Sequence, residues 1–214
     1  AQMFHPWGPT PASAFDGWFD GFRGIAVDTR LKTDDRLTLF QQRGGRFVVQ
    51  PVDPEGLDTI AAKADLTLVA TGRGGLSSLF PVNPARTAYD KPQRSLLAFT
   101  VTGLPHGPEV FAHRSTAGGA HNALTVVADQ GEVFWGPYLH KDAGPTWAFL
   151  GWARPGSDWE RRFATVTSAE SALTVATDLH RDYIDWDLPE VSRLRIIEED
   201  RHSWLTGAVT QVDL

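Results

Sequence analysis

The sequence predicts an α+β fold: a mainly antiparallel, mixed sheet with packed helices, joined on its N-terminal side to a fragment of an α/β layer. Three patterns lead there. Before about residue 90, helical runs alternate with β-branched runs. After Pro92, short strand-like segments follow one another as a meander. Between about 157 and 180, apolar residues return to helical spacing. The chain accordingly divides into an N-terminal segment, 1–90, and a sheet domain, 91–214.

Residues 1–24 are rich in Pro, Gly and aromatics, including Trp7, Phe15, Trp18, Phe19 and Phe22, and read as packed irregular chain or short strands. A helix is expected over 28–43. Asp28 caps it, Leu37 and Phe40 share a face, and Gly44-Gly45 stops it. Residues 46–50 (RFVVQ) form a strand, 54–63 a short helix with Pro54 at its start, and 66–71 a second strand. Further strands are expected at 95–101, 109–116, 122–128, 132–139 and 146–153, with Asp129-Gln130-Gly131 as a hairpin turn. Trp159, Phe163 and Val166 mark a helix. Thr167 and Glu170 match a capping box that opens another, carrying Leu173, Ala176 and Leu179. Pro189 closes the helical region, and 193–198 and 203–212 read as final strands.

Composition narrows the function. At 214 residues there is ample chain for a core. The net charge of −6 disfavours nucleic acid, whose phosphates call for a basic face. With no cysteine, disulfides, Fe–S clusters and Cys-ligated zinc are excluded. No apolar run reaches membrane-spanning length, and AQMFHPWGPTP lacks the basic and apolar regions of a signal peptide, so neither a membrane nor a leader is expected.

The stretch ADLTLVATGRGGLSSLFP, residues 64–81, ends an apolar run in a glycine cluster. It does not meet the dinucleotide fingerprint. Gly72 and Gly74 fill the first two places of G-x-G-x-x-G, but Ser77 occupies the third, and Pro81 leaves no room for a full helix. There is no G-x-S-x-G elbow and no H-E-x-x-H. His113 and His121 flank a Gly-Gly turn without a third metal ligand. The carboxylates at 198–200 and at Asp182, Asp185 and Asp187 read as solvated faces. No catalytic residue and no metal ligand can be assigned.

Three segments in order resemble the styrene and indole monooxygenase family of two-component flavoproteins. They are AVDTRL at 26–31 followed by a helix and GGRF at 44–47, ADLTLVATG at 64–72, and DKPQRSLL at 90–97; Gly156-Ser157-Asp158 also fits. The resemblance implies oxidoreductase chemistry, in which a flavoprotein with reduced FAD and O2 epoxidises an aromatic alkene or an indole. It implies a cytoplasmic setting, a small aromatic substrate, and an NAD(P)H-dependent flavin reductase as partner.

In that family Thr71-Gly72 ends a strand of the FAD layer, and Asp28 and Arg30 fall on the same cofactor side. The family's G-x-G-x-x-G and its G-D segment are not in these residues. The chain therefore reads as the substrate-binding region of such an enzyme, or as a short paralogue, inactive in isolation and holding no FAD. The strand of Leu150 corresponds to one that lines the family's substrate cavity. Ala148 and Trp152 share its face by strand alternation, and Phe134, Trp135 and Tyr138 come from the neighbouring strand. The competing reading is a non-catalytic module that binds small apolar ligands.

Overall fold

The computed structural model describes residues 2–4, 11–14, 26–72, 74–107, 109–111 and 123–208. They fall into two compact units, 1–34 with 92–209 and 35–91 with 210–214.

The first unit is built on an eight-stranded sheet. Its strands are β1 (Gln2–Phe4), β2 (Pro11–Ala14), β3 (Ser95–Thr102), β4 (Ala123–Val127), β5 (Gly131–His140), β6 (Gly144–Ala153), β7 (Arg195–Ile196) and β8 (Trp204–Ala208). Their order is β2-β1-β4-β5-β6-β3-β7, with β8 also on β3. Every pair of named strands is antiparallel except β1–β4. The expected α+β class and mainly antiparallel sheet are therefore present, but among the described strands the meander holds only for β4-β5-β6, because β3 pairs with β6 and not with β4. The β4–β5 hairpin turns through Asp129 at φ 61° and Gly131 at φ 149°, where a Cβ on Gly131 would run into the Trp152 carbonyl.

Strand alternation separates the two faces. On one face Leu97, Phe99, Val101, Val133, Trp135, Trp147, Phe149 and Ala153 are buried. Helices α3 (Asp158–Phe163) and α4 (Ala169–Tyr183) supply Trp159, Phe163, Ala172, Ala176 and Leu179 to the same core. Gly151 lets α3 come close: a Cβ there would stand 2.8 Å from the Phe163 ring. His180 of α4 is fully buried in the aromatic cluster. Its Nδ1 lies 2.7 Å from the Ala176 carbonyl, and its Nε2 accepts the Trp135 indole N–H at 3.0 Å.

Two local signals act differently from the sequence expectation. The capping box of α4 begins at Ser168, not Thr167. Ser168 accepts the Ser171 N–H at 3.1 Å, and the Ser171 hydroxyl accepts the Ser168 N–H at 2.9 Å, while Glu170 is held by Arg201 instead. Pro189 does not close the helical region. It occupies the first turn of α5 (Leu188–Val191), where its missing N–H costs nothing. The expected strand at 193–198 shortens to β7, because 198–200 turn as a 3-10 helix. Residues 109–111 form a turn rather than a strand, and 112–122, with His113 and His121, lie outside the described residues.

In the second unit, helix α1 (Thr29–Gln42), which starts in the first unit, ends in a Schellman arrangement. Gly44 at φ 88° donates to the Gln41 carbonyl and Gly45 to that of Phe40. Asp53 caps α2 (Pro54–Ala61) by accepting the Gly56 N–H at 2.7 Å. The strands expected at 46–50 and 66–71 do not form. Val49 is 84% exposed and Leu68 83%, and neither run pairs with another strand among the described residues. A β-branched run becomes a strand only when a neighbour takes its backbone hydrogen bonds. Among the described residues, no helix is long and apolar enough to cross a membrane.

Candidate functional site: the outer face of the sheet

The face opposite the helices is apolar and only half-buried. Register places Leu124, Phe134, Leu150, Ala98 and Leu205 side by side across β4, β5, β6, β3 and β8. The next row holds Val126, Glu132, Trp152 and Leu96, and the row on the other side Gly136, Ala148 and Thr100. Strands lie about 4.8 Å apart and same-face residues about 7 Å apart along a strand, so these rows form a strip wide enough for an aromatic ring. Leu150, Trp152, Phe134, Ala148, Leu96 and Ala98 are each partly exposed, whereas the residues between them on the opposite face are sealed.

Of the residues singled out by sequence, Leu150, Ala148, Trp152, Phe134 and Tyr138 share this outer face. Trp135 does not. Adjacent to Phe134, it points the other way. It is fully buried against Phe149, with ring centroids 4.8 Å apart, and its N–H is spent on His180. Tyr138 lies toward the far end of β5, where burial, and then the charge of Asp28, push its phenol above the usual value.

That end of β5 carries a charged cluster. Residues 26–28 run alongside β5, with the Asp28 N–H donating to the Leu139 carbonyl at 2.8 Å and the Leu139 N–H to that of Ala26 at 2.9 Å. The Asp28 side chain accepts the Arg30 backbone N–H at 2.9 Å, the expected helix cap. It also accepts Arg30 Nε and Nη2 and the Lys141 N–H. Arg30 reaches on to Asp200, at 2.6 Å from Nη2 and 3.1 Å from Nη1. His140 is buried here. Its Nδ1 accepts the N–H groups of Asp142 and Ala143, so the ring proton sits on Nε2 and is donated to Asp200 at 2.8 Å. The Arg30 hydrogen bonds hold the Asp28 carboxyl down to about 2 and the Asp200 carboxyl well below its usual range. His140 and Asp200 were not legible as partners of Arg30, because Asp200 lies 170 residues from it along the chain.

Asp28 and Arg30 do not fit direct contact with a flavin phosphate. Asp28 is 2% exposed with its acceptors filled, and Arg30 is forked between two carboxylates, leaving a net negative cluster. Thr71 and Gly72 lie exposed in the second unit. Gly72 adopts φ 57° and the Gly74 N–H returns to the Thr71 carbonyl at 2.9 Å, a turn open to close approach. The described residues contain no group of His, Asp and Glu placed to hold a metal ion. In the first unit a surface hollow of about 340 Å³ lies along α4, on the side of the sheet opposite the outer face.

Residues 72–189, which include β3 to β6, α3 and α4, match the family described as "Styrene monooxygenase A putative substrate binding domain". The chain belongs to this family. Two relatives are styrene monooxygenase StyA of a Pseudomonas species, 31% identical over 83 residues, and StyA of Pseudomonas fluorescens, 30% identical over the same length. Each alignment covers 39% of this chain and 20% of the relative.

Proposed function

We propose that this chain forms the substrate-contacting sheet of a flavin-dependent styrene- or indole-type monooxygenase. The observation that carries the reading is the apolar, half-exposed outer strip within the family-matched residues. Reduced FAD and O2 supply the oxygen-transfer chemistry; this chain's own part is binding and exclusion of water. Phe134 and Trp152 offer ring faces, Leu150, Leu96 and Ala98 a flat aliphatic floor, and Gly136 and Ala148 the depth that lets a planar ring settle. None of these carries a nucleophile or a base, in keeping with an oxygenase whose reactive group is the cofactor. The proposal includes a cytoplasmic enzyme served by an NAD(P)H-dependent flavin reductase.

The test is direct. Styrene or indole is titrated into the chain while tryptophan fluorescence is followed. Saturable binding that weakens about tenfold or more in Phe134→Ala and Leu150→Ala supports the strip as the binding surface. Binding unaffected by either substitution contradicts it.

A further inference from the structure

One charged pair lies on the same face as the apolar strip. Glu132 stands directly opposite Trp152 on β6, and Trp152 opposite Leu96 on β3. Arg94 immediately precedes β3. Its Nε and Nη2 each donate to the Glu132 carboxylate at 2.9 Å, one to each oxygen. β6 lies between the two residues' strands, so the fork spans about two strand spacings, or about 10 Å. A side-chain contact of that reach has to pass over one face of the sheet. Glu132 shares a face with Phe134, so the fork crosses β6 on the outer side, beside Trp152.

The geometry also accounts for the charge. Bidentate pairing neutralises both groups, and the remaining Arg94 nitrogen donates to the Gln93 carbonyl at 2.8 Å. Glu132 holds the Arg94 guanidinium above its usual value, and its own side chain is only 23% exposed. One end of the strip is therefore closed by a polar wall whose described guanidinium groups are each paired, Arg94 with Glu132 and Arg154, which follows β6, with Asp129. An uncharged ring meets no penalty there. A ring carrying a carboxylate would have to lose water without finding a free donor, since the Arg94 fork is already engaged by Glu132.

We infer that the Arg94–Glu132 fork is a specificity-determining wall, restricting the outer face to uncharged aromatic compounds and rejecting aromatic carboxylates. The inference rests on the substrate-face reading above.

The experiment compares styrene with 4-vinylbenzoate, the same alkene bearing a ring carboxylate. Dissociation constants for both are measured in the wild type, in Glu132→Ala and in the double variant Glu132→Ala/Arg94→Ala. Wild type should favour styrene by at least tenfold. Glu132→Ala frees the Arg94 fork for the ligand's carboxylate, and the styrene preference should fall at least tenfold. Removing Arg94 as well should restore discrimination against the carboxylate. An unchanged preference in Glu132→Ala, or a shift that persists without Arg94, overturns the wall while leaving the substrate face standing. Failure of wild type to bind styrene overturns the substrate face itself and the wall with it.

Discussion

Phe149 is fully buried and Leu150 only half-buried, and that difference sets what each substitution costs. Phe149→Ala leaves a hole among Phe99, Trp135 and His180 and should lower stability by about 3–5 kcal/mol. Leu150→Ala should cost less than about 2 kcal/mol, because its site already communicates with solvent. Chemical denaturation of both variants checks the contrast. Asp28 gives the acid limb of stability. Its folded-state value, about 2, lies below the ordinary 3.8, so its ion pair stabilises above about pH 4, and that contribution is lost as pH falls through about 2. With Arg30 partly exposed, about 1–2 kcal/mol is at stake. Asp28→Asn should flatten the unfolding profile between pH 4 and pH 2, with Asp200 retaining part of the slope. At this scale the sequence was half legible. The cap role of Asp28 and the shared face of Ala148, Leu150 and Trp152 follow from spacing alone. The tie to Asp200 and His140 does not, because distant residues meet only through the fold.

Among the elements, α4 offers a clean test of the corrected cap. Ser168→Ala removes the acceptor for the Ser171 N–H and should cost about 1 kcal/mol, whereas Thr167→Ala should cost a few tenths. Thermal unfolding of the pair distinguishes the two registers. A Thr-x-x-Glu match was misleading because Arg201 occupies the Glu170 carboxylate. The strands of the meander were legible because alternation and the Asp129-Gln130-Gly131 turn agree with each other. The runs at 46–50 and 66–71 carry equally strong β-branched patterns and still form no strand. Pattern records the capacity to pair; pairing itself requires a partner.

For the whole molecule, the two units differ in what protects them. The first has a continuous aromatic core; in the second, Leu76 is the only buried hydrophobic among the described residues. Amide exchange should therefore be slowest in β3, β5 and β6 and markedly faster through α2 and residues 35–42 of α1. On the proposed function, one face of the sheet holds the core and the other holds a ligand. Methyl-resolved NMR during a styrene titration tests it most directly, because methyl groups report on each face separately. The Leu96, Val126 and Leu150 methyls should shift together and saturate, while those of Leu97, Val101 and Val133 stay in place. Equal movement on both faces, or movement confined to the core side, would contradict it.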